Sequence, residues 1–227
     1  MKRGGLAVDI SIFEVLGPVM IGPSSSHTAG AARLARVAAL IAARPFSRVD
    51  FGLSGSFART CRGHGTNKAL LAGAMGLAAD DERIRNAEAL AAQRGLEARF
   101  YEEDLDWLHE NAAHITFYHA DGQTEVWGAS LGGGRIRVSR IGGFETDIRA
   151  ECPTLVVHHL DRPGVVSEVS RTLAESGLNI AVMRLARQAK GQAASLVIEM
   201  DGAIPPEVGE RVRQLQHVTE VIVIDVS

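Results

Sequence analysis

Ser24, Ser25, Ser26, His27 and Thr28 stand side by side, and Gly63, His64, Gly65, Thr66 and Asn67 repeat the theme further along the chain. Each stretch runs straight into an apolar, helix-like segment. A helix start leaves backbone N–H groups without intrahelical partners, and the helix dipole favours negative charge there. Hydroxyls beside those amides can hold a carboxylate or a phosphate. An unperturbed imidazole titrates near pH ~6.5, so it can exchange a proton close to neutrality. The chemistry suggested is capture of a small anionic metabolite with proton transfer. One capping hydroxyl would satisfy a helix; three serines, a histidine and a threonine exceed that need. The second stretch, alone, fits a glycine turn with an exposed histidine equally well. Its glycines would let a ligand or another segment approach His64. The pair makes one site only if the fold brings the two helix starts together.

The other histidines suggest less. His119 precedes the Asp121-Gly122 turn, and His114 belongs to the same strand. His109 and His217 suit surface positions. His158 and His159 are adjacent on a strand and point to opposite faces, a poor spacing for chelating a metal.

The elements that must carry these residues follow from periodicity. Ile10–Leu16 suits a short strand or helical lead before Gly17 and Pro18. Ala29–Ala43 reads as an alanine-rich helix with Leu34, Val37, Leu40 and Ile41 on one face, stopped by Pro45. Arg48–Ser54 alternates as a strand, and Asn67–Leu77 makes a second helix. Ile84–Gln93 predicts a third. Ala113–His119 and Gln123–Ser130 form a hairpin about Ala120, Asp121 and Gly122, and Arg135–Ile141 alternates again. Helices mixed with adjacent hairpins predict an open α+β sandwich. After about residue 151 the pattern becomes regular: strand Thr154–His159, a helix entered through Asp161-Arg-Pro-Gly164, strands Asn179–Ala186 and Gln192–Met200, helix Pro205–Gln214 and strand Glu220–Val226. That βαββαβ order is ferredoxin-like. The expected units are residues 1–150 and 151–227.

The chain has 227 residues, 46% hydrophobic and 22% charged, with a formal net charge of -3. That balance suits a globular protein with a real core and gives no bulk attraction to nucleic acid or an anionic membrane. No apolar run is long enough to span a bilayer, and Asp9 and Glu14 break the stretch after Lys2 and Arg3, so no signal peptide and a cytoplasmic location are expected. The two cysteines, Cys61 and Cys152, are too few for a disulfide framework or for a cluster that takes three or four thiolates.

The motifs Gly22-Pro-Ser-Ser-Ser-His-Thr28, Gly63-His-Gly-Thr66, Gly132-Gly-Gly134, Ile141-Gly-Gly-Phe144 and Asp161-Arg-Pro-Gly164 together resemble the beta subunit of iron–sulfur L-serine dehydratase (L-serine ammonia-lyase) ending in an ACT domain. The resemblance runs from about Ile10 to Asp225. It implies a first domain like the allosteric substrate-binding fold of some phosphoglycerate dehydrogenases. It also implies a separate alpha subunit holding a [4Fe–4S] cluster, no metal ligand on this chain, and a holoenzyme converting L-serine to pyruvate and ammonia. The substrate hydroxyl would bind an open iron, a base would remove the Cα proton, hydroxide would leave, and the enamine would tautomerise and hydrolyse. Carried onto this chain, His64 is the candidate base and His27 a substrate-binding or proton-handling group, with His119 a third histidine. Ser24, Ser25, Ser26 and Thr28 would hold the carboxylate, and Gly65, Thr66 and Asn67 would line the same site. The position after Gly-His-Gly-Thr is often Asp in such proteins; Asn67 can orient a histidine but brings no charge.

ACT-like domains pair side by side and bind amino acids between them. The resemblance therefore implies a homodimer through this domain and an effector site at Asp161, Arg162, Pro163, Gly164 and Asn179, although Pro-Gly also serves as a plain strand-to-helix turn. Two other functions stay open. One is a purely regulatory amino-acid-binding protein without catalytic residues. The other is a pyridoxal-phosphate dehydratase, disfavoured because Lys2, Lys68 and Lys190 sit in no cofactor-like setting.

Overall fold

The computed structural model of the protein describes residues 20–225. The lead expected over Ile10–Leu16 lies outside them. Among the described residues ten strands form two sheets. The first holds β1 (Arg48–Leu53), β2 (Glu97–Glu102), β3 (Ala112–His119), β4 (Gly122–Gly132), β5 (Arg135–Ile141) and β6 (Phe144–Ile148), in the order β2-β1-β3-β4-β5-β6. Among the described residues only β1 and β2 pair in parallel. Their long crossover carries helices α2 (Gly55–Arg59), α3 (Thr66–Ala74) and α4 (Ala87–Gln93). Helix α1 (Ala31–Ala42) precedes β1. The second sheet is wholly antiparallel, β10-β7-β9-β8, from β7 (Thr154–Leu160), β8 (Ile180–Arg187), β9 (Ala193–Met200) and β10 (Val218–Ile224). With α5 (Val165–Glu175) and α6 (Pro206–Arg213) it completes the expected βαββαβ unit. The α+β class holds. No helix among the described residues is long and apolar enough to cross a membrane.

Helix α1 is shared by both sheets. Leu34, Val37 and Ile41 belong to one apolar cluster with Phe51, Ile115 and Phe117 of the first sheet and with Val156, Ile222 and Ile224 of the second. Strand alternation explains the sharing. On β7, Val156 faces α1, while Leu155 and Val157 face a separate core under α5 and α6. Alanines let the neighbours of α1 come near. A Cβ on Gly73 of α3 would stand 2.1 Å from the Ala32 carbonyl oxygen, so α1 and α3 cross almost backbone to backbone.

Several expectations change in detail. Ala29–Ala43 is not one α-helix: Ser25–Gly30 form a wider π-helical turn, and the α-helix begins at Ala31. A Cβ on Gly30 would stand 1.9 Å from Ser130 Oγ, so the turn is pressed against β4, and π turns of this kind recur at functional sites. The helix ends one residue early because Ala43 takes a left-handed cap (φ 50°) before Pro45. Ile84–Gln93 divides into a 3₁₀ turn over Glu82–Asn86 and α4. Helix α2, β2 and β6 had no sequence counterpart. In β6 only Phe144 and Ile148 are apolar, a spacing without strand period; pairing with β5 makes it a strand.

Candidate functional site

The π-helical turn builds one wall of the site. Ser24 caps it, its Oγ accepting the His27 backbone N–H at 3.2 Å. The turn is tied to the β4–β5 hairpin by the Gly133 N–H, which donates to Ser25 Oγ at 3.4 Å. That hairpin needs glycine, because Gly132, Gly133 and Gly134 take φ of 89°, 61° and 76° in succession. The turn sends the His27 ring inward, where it is only 8% exposed. Ser26 Oγ lies 3.1 Å and Ser24 Oγ 3.3 Å from Nδ1, and Ser56 Oγ lies 3.0 Å from Nε2. Burial pushes the His27 pKa below the ordinary histidine value, and the like charge of His64 pushes the same way, against smaller upward pulls from the Ser56 backbone and Glu110. His27 is therefore a neutral imidazole at pH 7, with hydroxyls on both nitrogens.

The second loop supplies the opposite wall. His64 is exposed and meets His27 edge to face, with ring centroids 5.2 Å apart at 85°. Phe57 closes the other side of His27 at 5.4 Å. The two helix starts converge, as a common site requires. Gly65 enters α3 in the left-handed region (φ 72°). The amides of this loop are largely engaged: His64 N–H donates to Thr60 O at 3.1 Å and Asn67 N–H to Cys61 O at 3.2 Å. Thr66 is fully buried, and its hydroxyl has no partner among the described residues. Asn67 turns its amide to Glu88 Oε1 of α4 at 3.0 Å, so it orients a carboxylate on a neighbouring helix. Burial raises the Cys61 thiol above its usual value, which keeps it protonated.

Not every predicted residue joins this group. Thr28 is buried beneath Gly22, where a Cβ would stand 2.3 Å from its Oγ1. His119 stands at the far end of β3, roughly 20 Å along the strand from Ala113. Its ring is held by the Pro45 carbonyl at 2.9 Å and Thr124 Oγ1 at 3.0 Å. In the second sheet, Asp161 accepts from Gly191 N–H at 2.9 Å and pairs with Arg187 at 3.1 Å. Arg162, Pro163 and Gly164 are exposed at the uncapped start of α5. Asn179 bonds Asp201 at the opposite end of that sheet, because Ile180 pairs with Met200 while Arg187 pairs with Ala194. Ser56 and Phe57 touch His27 but were missed in the sequence. The available signal was the polar glycine turn Ser54-Gly55-Ser56 after an alternating strand.

The donor set for an iron–sulfur cluster does not fit this chain. Cys61 is half-buried beside the second loop, Cys152 is exposed near the start of the second sheet, and no three His, Cys, Asp or Glu side chains gather as a metal site among the described residues.

Known proteins align with this architecture over most of its length. The family described as "Serine dehydratase beta chain" matches residues 11–140, and the ACT domain family matches residues 154–217. The "Probable L-serine dehydratase, beta chain" of Bacillus subtilis is 39% identical over 211 residues, covering 93% of this chain and 96% of that protein. The "L-serine dehydratase, beta chain" of Peptoniphilus asaccharolyticus is 37% identical over 220 residues, covering 96% and 99%. A longer relative, the "L-serine dehydratase" of Streptomyces coelicolor, is 32% identical over 203 residues, which span 78% of this chain and 43% of that protein. This chain belongs to the family of L-serine dehydratase beta chains and is a beta subunit of serine dehydratase with a C-terminal ACT domain.

Proposed function

We propose that this chain contributes the proton-handling wall of an active site that a separate alpha subunit completes, in a carbon–nitrogen lyase converting L-serine to pyruvate and ammonia. The contact that carries the reading is the exposed His64 ring against the buried, neutral His27 ring at 5.2 Å. His64 takes the Cα proton of serine. His27, unprotonated at neutral pH, stands behind it as the group able to accept positive charge next. Ser24, Ser25 and Ser26 receive the substrate carboxylate at the start of the turn, with the backbone of Gly65 on the other wall and the buried Thr66 supporting that wall from beneath. Asn67 acts indirectly, through Glu88. His119 lies too far along β3 to share this substrate. The [4Fe–4S] cluster is assigned to the alpha subunit, because the cysteines here cannot surround it; the longer Streptomyces relative, of which this chain covers 43%, is consistent with a missing partner portion. Alone, this chain is then inactive.

The boundary between the two units is assigned near residue 151, beside the left-handed Ala150 (φ 53°). In the ACT unit, β8 is an edge strand with Leu185 51% exposed. Antiparallel pairing of β8 with β8 of a second copy brings Asn179 of one copy beside Asp161, Arg162, Pro163 and Gly164 of the other. That geometry suits an amino-acid effector held between two copies, with serine the candidate.

The test is to reconstitute the chain anaerobically with its cognate alpha subunit and replace His64 with alanine. The expected loss in kcat is about 100-fold or more. Full turnover by the variant would overturn the catalytic assignment and leave the purely regulatory, amino-acid-binding reading.

A further inference from the structure

We propose that Trp107, held out on the loop between β2 and β3, is the anchor by which this chain docks on the alpha subunit, filling an apolar pocket ringed by basic groups on that partner. The proposal rests on the reading above, in which an alpha subunit completes the site. The loop belongs to the edge of the first sheet that carries the histidines. Leu53 ends β1 opposite Glu102 of β2 and Ala113 of β3, and Ala112 pairs with Ala129 of β4. From that edge spring the turn Ser54-Gly55-Ser56, whose last hydroxyl stands 3.0 Å from His27 Nε2, and the β4–β5 hairpin that donates to Ser25. The loop is strapped to the same turn. Leu105 N–H donates to Ser54 Oγ at 3.3 Å, Ser54 Oγ donates to Asp106 Oδ1 at 3.1 Å, and Ser56 N–H donates to Glu110 O at 2.7 Å. A partner that brings iron to a substrate held by His27 and His64 must therefore cover this edge.

A single exposed apolar residue needs no explanation. Here the large apolar side chains exposed among the described residues are Tyr101, Trp107, Leu131, Leu160 and Leu185, and the three in the first sheet's unit all lie toward this one edge. Trp107 stands out furthest, at 63% exposure. Its neighbours turn the other way: Leu105 is buried on Ala112 and Ala129, with Leu108 and Trp127 packed against them. Leu108 N–H closes a turn onto Leu105 O at 2.8 Å, and Asn111 N–H donates to His109 Nδ1 at 3.0 Å. The indole is thus presented from an ordered loop, so docking it costs little ordering entropy, and tryptophan is enriched among the residues that dominate binding energy. Charge points to the chemistry of the partner. Residues 100–134 contain no lysine or arginine, while Glu102, Glu103, Asp104, Asp106 and Glu110 surround Trp107 in sequence. Glu103 is matched by His114 at 3.1 Å, but Glu102 and Glu110 are exposed with no hydrogen-bond or ion-pair partner among the described residues. Trp107 also flanks a groove with Arg137 and Arg140, whose guanidinium groups are engaged by Asp147 at 2.8 Å and Gly142 O at 3.0 Å. The unmatched charge around the indole is therefore negative, and complementary basic groups would steer and orient the encounter.

The experiment is an anaerobic calorimetric titration of the full-length chain into its cognate, cluster-loaded alpha subunit. Trp107→Ala is expected to raise Kd about 30-fold, and Trp107→Phe, which keeps an aromatic ring, to recover most of the loss. Because the indole is exposed, the circular dichroism and thermal unfolding of the free variant are expected to match wild type, which separates lost docking from lost folding. Turnover at saturating Trp107→Ala chain is also expected to match wild type, since the indole touches neither histidine. Binding of the wild-type chain is expected to weaken as salt rises, and Glu102→Gln with Glu110→Gln to weaken it at low salt and flatten that dependence. Trp107→Ala binding as tightly as wild type, while His64→Ala abolishes turnover, would overturn the docking proposal and leave the catalytic reading standing. Trp107→Ala dissociating copies of this chain from one another, with its affinity for the alpha subunit intact, would overturn it too and assign the face to a second copy. A wild-type chain that binds no alpha subunit would overturn both readings together.

Discussion

The seat of α1 on the first sheet can be tested through Leu34 and Gly128. Leu34 is fully buried, and its Cδ1 occupies a notch on β4 where Gly128 has no side chain. The ladder is irregular there, with the register shifting between Trp127 and Gly128. Leu34→Ala removes three buried carbons, about 2.4 kcal/mol at ~0.8 per carbon. The unfilled space adds to this, so a total of about 3–4 kcal/mol is expected, inside the range of such truncations. Gly128→Ala errs the other way. Its new Cβ would stand 2.6 Å from Leu34 Cδ1 and 2.7 Å from the Arg137 carbonyl oxygen, and overpacking of this kind costs about 1–3 kcal/mol. In the double variant the first collision is gone and the second remains. The pair should therefore be less destabilised than the sum of the singles, by about 1 kcal/mol. Urea unfolding of the full chain, followed by circular dichroism, measures all three variants. Additivity within about 0.3 kcal/mol, or a Leu34→Ala cost below about 1 kcal/mol, would refute this packing and the support it gives to the His27 turn.

Other consequences follow from the same structure. Gly73→Ala forces a Cβ to 2.1 Å from the Ala32 carbonyl and should part α1 from α3, lowering stability by about 1–3 kcal/mol in thermal unfolding. His158 is partly buried against Phe144 at a ring separation of 5.2 Å, and its Nδ1 has no partner among the described residues. Burial lowers its pKa, more than the nearby Glu220 raises it. The unfolded chain therefore binds a proton near pH ~6.5 that the folded chain refuses, so stability falls as pH drops below that value. His158→Phe should flatten the decline in unfolding curves taken between pH 7 and pH 5, and an unchanged slope would contradict it. Leu185→Lys places a charge on the exposed edge of β8 and should shift the self-association of the full chain toward monomer in sedimentation velocity, without changing its circular dichroism.

Much of the second sheet was legible in the sequence because its strands alternate and its turns carry Pro and Gly. Thr154–Leu160, Ala193–Met200 and the helices Val165–Glu175 and Pro206–Arg213 appear within a residue or two of expectation. The first sheet was less legible. Glu97–Glu102 and Phe144–Ile148 become strands by pairing with a neighbour, and neither contains enough alternating apolar residues to announce itself. Ser56 was hidden for a related reason. A serine after a glycine turn is common, and only the fold carries it to an imidazole 29 positions earlier in the chain.

The sequence by itself determined which groups were available: two histidines in hydroxyl- and glycine-rich stretches, two cysteines only, and a βαββαβ period at the end. Those are properties of residue type and local spacing, which short-range sterics and hydrogen bonding settle. Tertiary structure alone decided that His27 is buried and His64 exposed, that their rings meet, that His119 stands apart, and that Asn179 and Asp161 occupy opposite ends of one sheet. These are distances between segments far apart in the chain. They are set by how α1 sits against two sheets at once, and no local pattern encodes them.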